Sequence, residues 1–143
     1  DERLGEPVGH VELDPGPYRG FEIGAEIVPS VIDEIPVLAA LAARAEGPSR
    51  ITGAAELRHK ESDRLAALAS NLRALGIEVE ESPDGLTIGG TRESLTGQVR
   101  SFGDHRIAMS FALAGLRTPG ILIRDEHCVE KSFPKFWQVF EAL

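Results

Sequence analysis

With 143 residues, 42% of them hydrophobic, and a formal net charge of −8, the chain is one domain's worth of globular protein. The acidic balance opposes non-specific binding to nucleic acid or anionic lipid, and no apolar run nears the ~20 residues of a membrane span. Cys128 is the single cysteine, so an intrachain disulfide or a cysteine-rich metal site is excluded, and a cytoplasmic setting fits.

The sequence begins at Asp1 and its one methionine is Met109, which reads as a piece of a longer chain. Residues 1–29 are rich in Gly and Pro. Val8, Val11 and Leu13, then Phe21, Ile23 and Ile27, predict two short strands with a turn at Asp14-Pro15-Gly16-Pro17. Val31 to Ala45 is apolar on nearly every face and predicts one buried helix, with Pro36 near its start. Arg50–Thr52 is a brief strand. Leu65, Leu68, Ala69, Leu72 and Leu75 then follow helical spacing, with Ser62 as candidate cap, Asp63 in the first turn and Gly76 as terminator. Ile77–Glu81 and Leu86–Ile88 form a hairpin about Pro83-Asp84-Gly85. After a loop to Gln98 the order restarts: strand 99–101, helix 104–116, strand 121–124 and helix 132–143. Residues 21–89 therefore make one βαβαββ unit, and 98–143 a second that stops before its last two strands. The whole is a single α/β unit without a linker.

Arg58-His59-Lys60-Glu61-Ser62-Asp63-Arg64 crowds three fixed cations, two carboxylates and a histidine ahead of the predicted helix. Arg64 in a first turn opposes the helix dipole by ~0.3–1 kcal/mol, a misfit best tolerated when an anion is near. Gly103-Asp104-His105-Arg106 and Lys131-Ser132-Phe133-Pro134-Lys135 repeat the arrangement, each a candidate cap with basic neighbours. Three cation-bearing helix starts point to one shared phosphate or carboxylate.

Walker A, Gly-x-Ser-x-Gly and Gly-x-Gly-x-x-Gly patterns are absent. His10, His59, His105 and His127 lack metal-ligand spacing, so neither a metal nor a cofactor is expected. What remains is an acid–base kit for an anionic substrate. Taken singly, each candidate has a plainer use. Asp33 can form a capping box with Ser30, and nothing in the spacing chooses it over Glu34. Glu61 can cap the helix or pair with Arg64 at i+3. Asp104 is an N-cap in any case, while Arg106 and Lys131 alone read as solvated surface cations.

Leu57-Arg58-His59-Lys60-Glu61-Ser62-Asp63-Arg64 resembles the Leu-Arg-x-Lys-Glu-Ser/Thr-Asp-Arg signature of the 5-enolpyruvylshikimate-3-phosphate synthase family. Gly103-Asp104-His105-Arg106-Ile107-Ala108-Met109 is similar to its second signature, and Ile32–Pro36 and Lys131–Pro134 follow in the right order. His59 departs from a usually aliphatic position. The resemblance covers nearly the whole chain and the C-terminal third or so of the enzyme.

It implies the enolpyruvyl transferase fold, an inside-out α/β barrel of βαβαββ units, here truncated to a partial C-terminal domain over 1–143 with the N-terminal domain elsewhere. It implies transfer of the enolpyruvyl group of phosphoenolpyruvate to the 5-hydroxyl of shikimate 3-phosphate, with phosphate released. By the same resemblance, Asp33 is the base that also holds the shikimate hydroxyls, and Glu61 the proton donor. Lys60 lies near shikimate 3-phosphate and at the edge of the phosphoenolpyruvate site. Arg64, Arg106 and Lys131 bind phosphoenolpyruvate, and His105 supports Glu61 or the phosphate. A split active site of this kind leaves the isolated chain inactive. The alternatives are a UDP-N-acetylglucosamine enolpyruvyl transferase, which the two signatures disfavour, an RNA 3'-terminal phosphate cyclase-like protein, which the acidic charge disfavours, and a non-catalytic sensor of a phosphorylated metabolite, which the retained carboxylates disfavour.

Overall fold

Pro36 divides the apolar run after residue 27 into two helices, α1 (Val28–Val31) and α2 (Ile35–Ala42). Its ring and missing N–H forbid an unbroken helix through the preceding turn. The computed structural model describes every residue except 1, 4, 11, 13–15, 117, 119 and 143, and in it the break between α1 and α2 holds Asp33. The single helix expected over 31–45 is therefore corrected to two pieces. Nor is the second buried all round: Ile35, Ala39 and Ala42 are inside, while Leu41 is exposed.

At the N-terminus, β1 (Glu2–Arg3) and β2 (Glu6–Pro7) pair antiparallel. The strand expected from Val8 is absent at that residue. Val11, Leu13 and the Asp14-Pro15 half of the expected turn lie outside the described residues. The main sheet contains β3 (Glu22–Ile23), β4 (Ser49–Ile51), β5 (Val79–Ser82) and β6 (Gly85–Ile88) in the order β3-β4-β6-β5. β3 and β4 are parallel, and β6 runs antiparallel to both neighbours. The β5–β6 hairpin turns at Pro83-Asp84 as the sequence predicts. A Cβ on Gly85 would lie 2.0 Å from the Ile51 carbonyl oxygen, so only glycine lets β6 enter the sheet there.

Between β4 and β5 run a short 3-10 helix (Ala55–His59) and α3 (Arg64–Ala74), which completes the βαβαββ order. α3 ends as expected at Gly76, whose φ is +82°. The Gly76 N–H donates to Arg73 O at 3.0 Å and the Ile77 N–H to Leu72 O at 3.0 Å, the two bonds of a Schellman cap. Then follow β7 (Gly97–Arg100), α4 (His105–Gly115) and β8 (Ile121–Arg124), with β7 and β8 paired parallel in a separate sheet. A second 3-10 turn (Glu126–Lys131) leads to α5, which is only Phe136–Phe140. The helix expected from Ser132 is thus corrected, because the residue before Pro134 is driven out of the helical region.

Ile51, Leu86 and Ile88 of the sheet pack with Ile35 and Ala39 of α2, Leu65, Leu68 and Leu72 of α3, and Ile107 and Phe111 of α4. Burying each large side chain contributes ~1.5–3 kcal/mol. This shared core holds the N-termini of α3 and α4 and the break at Asp33 in fixed relation.

Candidate active site

Arg64 is the first residue of α3 and is 1% exposed, the largest fully buried side chain among the described residues. A guanidinium so placed must be surrounded by acceptors, and carboxylates from three segments supply them. Nε donates to Asp104 Oδ2 at 2.8 Å, one terminal nitrogen to Asp33 Oδ1 at 3.2 Å, and the other to Glu61 Oε2 at 2.6 Å. The misfit seen in the sequence is real, but the anions that answer it belong to the protein.

Asp104 is 0% exposed. It caps α4 by accepting the Arg106 N–H at 2.9 Å, and it accepts the Ser62 hydroxyl at 3.1 Å. Burial pushes its carboxyl up, but bonding to and charge on Arg64, with the Arg106 amide and Ser62, outweigh this and hold it below the usual range. Burial likewise works against the Arg64 charge, and Asp104, Glu61 and Asp33 together raise its pKa further.

Arg106, 34% exposed, closes the cluster from α4. It donates to Asp33 Oδ2 at 3.0 Å and to the Asp33 carbonyl at 3.1 Å. The Asp33 carboxylate therefore bridges Arg64 and Arg106 rather than forming the alternative capping box with Ser30. Ser30 instead donates to Ile27 O at 2.8 Å. Two guanidiniums face three carboxylates, so the cluster carries net negative charge. Arg64 and Asp104 are buried, while Asp33, Glu61 and Arg106 form the solvent-facing side of the cluster. Two hollows lie elsewhere, one beside Trp137 and Phe140 and one between α2 and α4.

The other candidates stand apart. Lys60, half-buried, pairs with Glu56 one turn back in the 3-10 helix. His105 is half-buried at the start of α4, with no side-chain hydrogen bond among the described residues. Lys131 ends the second 3-10 turn and is exposed, not placed ahead of a helix as expected. Asp63, not Ser62, caps α3, accepting the Ala66 N–H at 3.0 Å. Sequence reasoning also missed Asn71. Buried in α3, it donates to Arg100 O at 2.8 Å and accepts the Arg100 N–H at 2.9 Å, tying α3 to the strand that leads into Asp104. No group of three His, Cys, Asp or Glu residues among those described is arranged to hold a metal ion, and no helix among them is long and apolar enough to cross a membrane.

The fold and the paired helix starts define an enolpyruvyl transferase architecture. The enolpyruvyl transferase NikO from Streptomyces tendae superposes with a TM-score of 0.68 at 28% identity, over 89% of this chain and 28% of that one. EPSP synthase from Acinetobacter baumannii superposes with a TM-score of 0.81 at 42% identity, over 88% of this chain and 30% of that one. The 3-phosphoshikimate 1-carboxyvinyltransferase of Geobacter metallireducens is 49% identical over 140 residues, 97% of this chain and 33% of the relative. The profile of the EPSP synthase (3-phosphoshikimate 1-carboxyvinyltransferase) family matches residues 6–140. The chain belongs to that family, and spans about a third of the length of the curated relatives it matches.

Proposed function

We propose that this chain supplies one half of the active site of an enzyme that moves the enolpyruvyl group of phosphoenolpyruvate onto the 5-hydroxyl of shikimate 3-phosphate and releases phosphate. The observation that carries this reading is the convergence of Asp33, Glu61, Arg64 and Arg106 from three separate segments in a chain of this family. Residues 21–89 are one complete βαβαββ unit of a partial C-terminal domain, and 98–143 a second unit left open. The opposite wall of the site comes from an N-terminal domain present in the remaining length of the relatives. The setting is cytoplasmic, and neither nucleic acid nor membrane is a partner.

The acceptor's oxygen must lose a proton as it bonds to the donor's central carbon, and the methylene carbon must gain one to become a methyl. The bond from the central carbon to the phosphate oxygen then breaks, and the methyl gives a proton back as the double bond reforms. Asp33 takes the first role and holds the shikimate hydroxyls, and Glu61 gives the second proton. Arg106, the more exposed guanidinium, meets the donor's carboxylate or phosphate. Arg64 reaches the same ligand only as Asp33 or Glu61 turns away from it. The cluster is negative with all three carboxylates ionised and neutral once Glu61 carries the proton it gives, so in either state an anionic donor needs further cations. Lys60 and Lys131 provide some and the absent length the rest, while His105 supports Glu61 or the phosphate.

The test uses a completed chain, in which the remaining two thirds are supplied from the Geobacter metallireducens relative. Phosphate release is measured with phosphoenolpyruvate and either shikimate 3-phosphate or UDP-N-acetylglucosamine as acceptor. Turnover with the first acceptor, and none by the isolated 143-residue chain, is expected. Turnover with the sugar nucleotide alone, or an isolated chain as fast as the completed one, would overturn the proposal.

A further inference from the structure

Four of the five N–H groups of Arg58 are engaged. Nε donates to Pro83 O at 2.8 Å, one terminal nitrogen to both Asp63 oxygens at 3.1 and 2.8 Å, and the other to Glu81 Oε1 at 3.0 Å and Ser82 O at 2.7 Å. Arg58 and Asp63 thus close a six-residue loop, Arg58–Asp63, whose middle is Lys60-Glu61. Asp63 is also the cap of α3, so the same guanidinium sets where that helix begins. The hairpin it grips is anchored in turn to the residues just before the loop. Asp84 accepts the Gly53 N–H at 3.0 Å through its carboxylate and the Ala54 N–H at 2.7 Å through its carbonyl. Among the described residues, none of these side chains hydrogen-bonds to Arg64, Arg106 or Asp33.

A fork so heavily bonded does more than a surface ion pair requires. Arg58 and Asp63 are 23% and 42% exposed, and pairs so placed add little net stability. What the geometry fixes is position. Lysine, with one nitrogen, cannot reach two carboxylates and two carbonyls in a single plane.

We propose that Arg58 is a positioning residue: by pinning the Arg58–Asp63 loop to the β5–β6 turn it presents Glu61 to the reacting carbon. This rests on the reading that Glu61 acts in the enolpyruvyl transfer. In the completed chain, Arg58→Gln should lower kcat by about ten- to a hundredfold, with KM for phosphoenolpyruvate moving by no more than about threefold, the mark of a displaced catalytic group. On a Glu61→Gln background the same change should cost almost nothing further, because the group it positions is already gone. Arg58→Lys should recover only part of the loss. A kcat for Arg58→Gln within about twofold of the parent, or an equal loss on the Glu61→Gln background, would overturn the proposal.

Should the completed parent itself fail to turn over, the functional reading falls, and amide hydrogen exchange on the 143-residue chain decides the geometric half. Faster exchange in residues 55–63 of Arg58→Gln, with the middle of α3 unchanged, supports the clamp, and unchanged exchange in 55–63 overturns it.

Discussion

Asp104→Asn probes the arrangement that holds the site together. Asparagine keeps an oxygen for the Arg106 amide, and so most of the helix cap, but removes the charge opposite Arg64. Breaking a buried ion pair from one side costs ~3–5 kcal/mol. Asp33 and Glu61 remain beside Arg64, both about half-exposed, which places the loss near the lower end, at about 3 kcal/mol. For a chain of this size that corresponds to a fall in Tm of roughly 6–12 °C. Urea unfolding of wild type and variant, followed by circular dichroism, measures the difference directly. Its pH dependence adds a second check. The folded carboxyl of Asp104 is held below its ordinary value, so its contribution is complete above the unfolded value of about 4 and is lost as pH falls below that toward the folded value. The gap between the two proteins should therefore be constant from pH 7 to about pH 4.5 and narrow below it. A variant within about 1 kcal/mol of wild type at pH 7, or a gap that widens in acid, would refute the buried pair as the organising contact.

Two further outcomes follow from the same geometry. Asn71→Leu removes the side-chain partner of both the N–H and the carbonyl of Arg100. Its cost should be about 2–4 kcal/mol by urea midpoint, whereas an ordinary surface change stays within ±0.5. Arg106→Ala in the completed chain should raise KM for phosphoenolpyruvate by about tenfold or more with a smaller change in kcat, since a charge-assisted contact contributes ~1.5–3 kcal/mol. Steady-state kinetics at fixed shikimate 3-phosphate reads this, and an unchanged KM would remove Arg106 from the donor site.

Much of the frame was legible because its signals are local. Gly76 stops α3, Pro83-Asp84 turns the hairpin, and Asp104 caps α4, each through bonds to residues within a few positions. Arg64 was legible as a misfit for the same reason. Its partners were not, since Asp104 lies 40 positions away and Asp33 31, and no local pattern records such a pairing. The reading of an external anion was the natural one when the internal carboxylates could not be placed. Prolines were legible only in part. Pro36 is an early helix residue as expected, but of a helix that begins at Ile35 and leaves Asp33 in the break before it, and Pro134 lies ahead of α5 and delays it beyond Lys131. Arg58 read as one of several cations in a basic stretch, and only the fold brings Glu81 and the turn carbonyls to it.

The role of Glu61 is the most direct test of the account. In the completed chain, Glu61→Gln keeps the size of the side chain and a hydrogen bond toward Arg64 while removing the proton it would give. With phosphoenolpyruvate and shikimate 3-phosphate saturating, kcat should fall by about a hundredfold or more, with both substrates still bound. A Glu61→Gln enzyme that releases phosphate as fast as its parent would contradict the account at its centre.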